Sequence, residues 1–152
     1  MIQMNLKQEL FKQCAGFVNK RLQTVEEIIL SNQKALHSET KSSAGDKHET
    51  GRAMLQLEME KASQQLAGIS IMNQILAKID TSKSSEIAHL GSVIITDKAN
   101  YFLSISAGKL TAFGKDYFAV SVSSPIGKIL LGKKVNDQFL FNNAKNKVIL
   151  IK

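Results

Sequence analysis

The chain has no tryptophan, one proline and one cysteine among its 152 residues. A lone cysteine, Cys14, excludes an internal disulfide, which fits a reducing compartment. Free cysteine tends to be buried, so Cys14 reads as a small core residue. With Pro125 as the only proline, long uninterrupted helices are open to the rest of the chain. No stretch approaches the ~20 apolar residues that a membrane-spanning helix needs. The opening MIQMNLKQEL has no apolar run behind a basic start. Both features lead us to expect a cytoplasmic protein with no membrane partner. There is no phosphate-cradling glycine loop and no Ser/His/Asp order of catalytic type. His37, His48 and His89 do not supply a closed zinc set.

What the chain does have is divided between two halves. The net charge is +7. Residues 1–90 carry 11 Lys/Arg against 10 Asp/Glu, and residues 91–152 carry 9 against 3. The basic half points to an acidic partner surface or nucleic acid, or to a lysine-rich solvated surface. In the first half, Leu10, Phe11, Cys14, Phe17, Val18, Leu22, Val25, Ile28, Ile29 and Leu36 recur at steps of three and four. A second stripe uses Leu55, Met59, Ala62, Leu66, Ile69, Met72, Leu76 and Ile79. This near-heptad pattern predicts two helices, about 4–38 and 47–79, that bury their stripes against each other as an antiparallel coiled-coil hairpin. Met54, Met59 and Met72 read as packing.

The second half changes period. DTSKSSE at 80–86 reads as a linker. GSVIITD, NYFLSIS, YFAVSVSS, QFLFNN and KVILIK are short strand-like runs bounded by turn residues. Between the third and fourth, Pro125 and Gly132 frame one short helix. The expected layout is therefore α+β. A hairpin spans residues 1–80 with an acidic tip at 44–50, a linker spans 81–89, and a small β-rich domain spans 90–152. Phe102, Phe113, Tyr117 and Phe118 serve either the core of that domain or a docking surface on it, and the core is the main expectation.

The tip carries GDKHET at 45–50. Asp46-x-x-Glu49 has capping-box spacing, with Asp46 as N-cap of the second helix and Glu49 at the positive end of its dipole. The same spacing puts two carboxylates on one helix face. Two carboxylates suit one side of a Mg²⁺ site whose remaining ligands come from elsewhere.

GDKHET is similar to a tip motif reading Gly-Asp-x-x-Glu-Asn, and SSPIGKILLGKKVND at 123–137 is similar to a Ser-Pro-Ile-Gly segment, both of the bacterial Gre transcript-cleavage factors. The order of these signatures, the distance between them and the helix-then-strand layout resemble that family over most of the chain. The resemblance implies a coiled-coil hairpin followed by an FKBP-like domain. It also implies an elongation factor that binds the secondary channel of RNA polymerase. Asp46 and Glu49 would hold a Mg²⁺ jointly with the polymerase, so that the polymerase cleaves the 3′ end of backtracked nascent RNA. The isolated protein, a monomer, would bind no cofactor and be no enzyme by itself. By the same resemblance, Lys41, Lys47 and Arg52 are candidates for contact with RNA, and Ser124, Pro125, Ile126 and Gly127 for docking on the polymerase. The family's Asn after the Glu is Thr50 here, and the acid and Tyr that usually follow are replaced by Arg52 and Ala53. These departures keep open a channel-binding regulator that does not stimulate cleavage. An FKBP-like chaperone or prolyl isomerase is a further alternative.

Overall fold

The computed structural model describes residues 5–40 and 45–152, with the backbone alone for 39, 40 and 45–49. A helical hairpin, α1 (Leu6–Thr40) and α2 (Gly45–Ala77), precedes a mixed β-sheet, so the architecture is α+β. The chain divides into two compact units, Met1–Phe17 with Asn73–Lys152, and Val18–Met72. The division cuts through both helices and not through the serine-rich segment at 81–89. The first turns of α1 and the end of α2 therefore belong with the sheet.

In the Val18–Met72 unit, Val18, Val25 and Asn32 are buried at steps of seven along α1, and Ala62 and Ile69 along α2. Leu22, Ile29 and Leu36, and Leu55, Met59, Leu66 and Met72, are half-buried between them. This is the a/d spacing of a coiled-coil seam. Two expectations fail at its margins, because Ile28 and Met54 lie off the seam and are exposed. A polar residue joins it instead. Asn32 is only 6 % exposed, and its Nδ2 has no hydrogen-bond partner. A buried amide of this kind costs stability and is tolerated in coiled-coil seams because it fixes register.

α1 begins with a reciprocal cap. The Gln8 backbone N–H donates to Asn5 Oδ1 at 2.8 Å, and the Asn5 N–H donates to Gln8 Oε1 at 3.0 Å. Two orphan donors of the first turn are thereby satisfied. Lys7, in the first turn of α1, is buried. Its Nζ donates to the Lys83 carbonyl. Desolvation holds its pKa below the usual lysine range, against the opposing pull of Asp80.

The sheet unit has β1 (Val93–Thr96), β2 (Asn100–Ser104), β3 (Gly108–Ala112), β4 (Lys115–Ser121), α3 (Pro125–Leu130), β5 (Gln138–Phe141) and β6 (Ala144–Ile151). The strand order is β3-β4-β2-β1-β6-β5. Neighbours run antiparallel except β2 and β4, which are parallel. Side chains alternate across the sheet. On one face Ile94, Tyr101, Leu103 and Val148 form a cluster with Ile126 and Leu130 of α3. Phe102 and Ser104 point to the other face, where Ser104 Oγ lies 3.5 Å from Cys14 Sγ and the Thr111 carbonyl accepts from Gln13 Nε2 at 2.8 Å. Cys14 is fully buried, and desolvation raises its thiol pKa despite the Ser104 hydrogen bond.

β3 is the strand that the sequence pattern does not announce. It is a short edge strand in which Leu110 and Ala112 turn inward and Gly108, Lys109 and Thr111 are exposed. A two-residue turn, Phe113 (φ 51°) and Gly114 (φ 79°), joins it to β4. Positive φ at both positions is the requirement of a type I′ hairpin, which favours Asn-Gly. A phenylalanine there is strained and, at 68 % exposed, gains little from burial. Phe113→Asn is expected to stabilise the protein by about 0.5–1 kcal/mol, seen as a higher urea midpoint at unchanged slope. Of the four aromatics expected in the core, Phe102 and Tyr117 are buried, whereas Phe113 and Phe118 are exposed.

Candidate functional sites on the hairpin and the sheet unit

The acidic pair sits at the start of α2. That helix begins at Gly45, so Asp46 lies inside the first turn, where spacing alone makes it the cap. Glu49 follows three positions later. Positions i and i+3 share a helix face, and both positions fall in the first turn, at the positive end of the helix dipole. Lys47 lies in the same turn. The side chains of Asp46, Lys47 and Glu49, and the whole of Lys41, lie outside the described residues. Arg52 is exposed on α2, three residues beyond Glu49, and so falls on the face that Glu49 occupies. As a donor set, two carboxylates one turn apart fit part of an octahedral Mg²⁺ shell and leave the rest to other ligands. Among the described residues, no three His, Cys, Asp or Glu side chains gather within reach of one ion.

In the sheet unit, the Ser-Pro-Ile-Gly segment forms the start of α3. Ser124 is its N-cap. The Ser124 Oγ accepts from the Gly127 N–H at 3.1 Å and donates to the Ser121 carbonyl at 2.6 Å, and Pro125 takes the first helical position. Ile126 is buried in the core cluster. Gly127 is buried against backbone, and a Cβ placed there would lie 1.8 Å from the Ser121 oxygen. The helix ends as its sequence suggests. Gly132 adopts φ +87° after the cap residue Leu131, and its N–H donates to the Ala88 carbonyl at 2.8 Å. Ser124, Ile126 and Gly127 are thus committed to building the turn, and Pro125 alone of the four is exposed.

A comparison with protein-family models and with curated proteins returns no match.

The surface around this turn carries residues that sequence reasoning missed. Residues 131–135 run beside residues 87–88. The Ala88 N–H donates to the Lys133 carbonyl, and Ile87 bridges to Lys134. Ile87, Leu131 and Val135 on these adjoining segments are exposed, and Lys128, Lys133 and Lys134 accompany them. Leu131 and Val135 give no sequence signal, because apolar residues beside a short helix look like core residues. Ser84, Ser85, Glu86, Lys134, Val135 and Ile151 line a shallow cavity of about 540 Å³ here.

Proposed function

We propose that the protein is an RNA polymerase-binding transcription elongation factor of Gre type. In this reading the hairpin enters the secondary channel, and Asp46 and Glu49 complete a Mg²⁺ site at the polymerase active centre. The observation that carries the proposal is the pair of acidic positions one turn apart at the start of α2. α1 has 35 residues, which at ~1.5 Å per residue gives a helix roughly 50 Å long. A carboxylate pair at the end of such a helix is placed to reach a recessed metal. An FKBP-like identity for the sheet unit belongs to the same proposal, and so does docking on the polymerase. The exposed Pro125 and the patch of Ile87, Leu131 and Val135 with Lys128 support docking. Exposed apolar residues with lysines on the same adjoining segments match an acidic surface that has an apolar centre.

The Mg²⁺, when bound, supplies an activated water for phosphodiester hydrolysis. The protein's own part is to present two carboxylates at a fixed separation and to bring them in on a stiff support. Arg52 favours a second reading. An exposed guanidinium on the face that Glu49 occupies pairs with a carboxylate or an RNA phosphate, and it lowers the negative charge that the tip offers to a cation. In that case the protein occupies the channel without stimulating cleavage.

The test uses a stalled, backtracked elongation complex with Mg²⁺. The full chain is expected to accelerate 3′-end cleavage. The Asp46→Asn/Glu49→Asn variant, which retains first-turn hydrogen-bonding groups, should bind the polymerase equally well and lose acceleration by roughly 10- to 100-fold. If the full chain binds polymerase without accelerating cleavage, the second reading replaces the first. If it does not bind polymerase, both fail.

A further inference from the structure

Asn32 stands at a boundary in the hairpin seam. From Val18 along α1, every seventh residue is buried: Val18, Val25 and then Asn32, whose Nδ2 has no hydrogen-bond partner. On α2 the buried residues of this unit are Ile69 and Ala62, also seven apart. Past Asn32 the pattern stops. Among the described residues, no side chain of 33–38 or of 50–61 is buried. The seam there offers Ala35 and Leu36 from α1, and Gly51, Leu55 and Met59 from α2, all only half-buried. Gly51 brings no side chain to it and favours the unfolded chain relative to alanine. Counted back from the reversal between Thr40 and Gly45, Asn32 is level with about residue 53 of α2.

Opening the hairpin from its reversing end is therefore unequally costly along its length. Parting the helices as far as Leu36 and Gly51 exposes nothing that was fully buried. Reaching Asn32 recovers free energy, because an amide buried without a partner regains hydrogen bonds to water. Going further exposes Val25 and Ala62, and buried apolar surface is then lost with no polar gain. The favoured opening includes Asn32 and stops before Val25.

We propose that Asn32 sets a built-in break point in the hairpin. Residues 32–38 of α1 and 50–55 of α2 part from each other as a local unit, while the seam from Val18 to Ile29 stays closed. An asparagine that served register alone would leave the hairpin to open as a whole or to fray in its last turn. The acidic positions 46 and 49 belong to the part of α2 beyond the break point. A ligand that needs both on one helix face selects the closed form and stabilises it. The break point itself rests on the seam and does not depend on the polymerase reading.

Amide hydrogen exchange on the full chain, with opening in rapid equilibrium, tests it with substitutions on either side of the boundary. Segments 33–38 and 50–55 should exchange at least ~10-fold faster than 18–29 and 62–69. Asn32→Leu should slow exchange in 33–38 and 50–55 by about 5- to 150-fold, because opening no longer relieves a buried amide. Val25→Ala should speed exchange in 18–29 and 62–69 by roughly 5- to 50-fold, and leave 33–38 and 50–55 unchanged. Circular dichroism checks that both variants keep the native helix content. Ile69→Val, a milder truncation on the facing helix, makes the same comparison if Val25→Ala does not. Unchanged exchange of 33–38 in Asn32→Leu overturns the proposal, because the opening is then fraying that stops short of residue 32. Faster exchange of 33–38 and 50–55 in Val25→Ala or Ile69→Val also overturns it, because the whole unit then opens together. So does equal exchange across all four segments of the native chain.

Discussion

Gly127→Ala is expected to destabilise the sheet unit severely, by about 3 kcal/mol or more, at the upper end of what overpacking costs. A methyl at this position would sit 1.8 Å from the Ser121 carbonyl oxygen and 3.0 Å from Ser124 Oγ. Neither atom is a flexible chain end. The Ser121 carbonyl accepts from both the Ser124 N–H and the Ser124 hydroxyl, and that hydroxyl caps α3. Moving it out of the way removes the cap and shifts β4, where Ser121 is the last residue. The loss should appear as a lower thermal midpoint with the hairpin helices still contributing to circular dichroism. Gly68→Ala is the matching control. Gly68 lies in α2 with nothing within 4 Å of the added carbon, so the change should be neutral or stabilising. Similar behaviour of the two variants would mean that the contact at Gly127 is relieved by backbone movement.

Phe102→Ala is expected to lower stability by about 3–5 kcal/mol. Phe102 is the largest fully buried side chain among the described residues, at the middle of β2, and β2 pairs with both β1 and β4. Its ring lies on the face that also carries Ser104 and, through it, Cys14 of α1. Truncation therefore opens a cavity where the sheet meets the first turns of α1. Denaturant unfolding should show a reduced midpoint at unchanged slope. The same substitution at the half-exposed Phe118 should cost far less. That contrast separates loss of core packing from loss of an aromatic residue as such.

Much of the fold is legible because hydrophobic period reports directly on secondary structure. The two helices extend within a few residues of the stripes that predict them, and Leu55, Met59, Ala62, Leu66, Ile69, Met72, Leu76 and Ile79 are all at least half-buried. Pro125 and Gly132 mark the limits of α3 through their backbone restrictions, which do not depend on tertiary context. What escapes has identifiable reasons. Asn5-x-x-Gln8 carries a capping-box signal, but it precedes the apolar stripe by which the helix is recognised. Asn32 is invisible to any search for apolar stripes. β3 has only two inward residues, and its turn begins with Phe113, a residue that turn rules do not favour. Lys7 looks like a surface lysine because a single sequence has no means of placing the Lys83 carbonyl beside it. At the candidate sites, the acid pair is legible from spacing, and the short helix from Ser124-Pro125. The exposed patch of Ile87, Leu131 and Val135 is not, because it brings together segments that only the tertiary fold makes adjacent.

The membership of the two units has a consequence for the order in which a newly made chain acquires structure. Val18–Met72 is continuous in sequence, so this part of the hairpin closes on itself as soon as α2 has been synthesised. The other unit is assembled from both sides of that segment. Ile94 of β1 pairs with Ile151 of β6, and β4 enters between β2 and β3 although both precede it. At ~5–20 residues per second, the early turns of α1 wait for seconds before the strands that cover them emerge. During that interval Leu10 and Cys14, which end fully buried, have no sheet to pack against. A chain interrupted within the sheet would present a finished hairpin with a bare apolar base, a form suited to capture by chaperones and exposed to proteases.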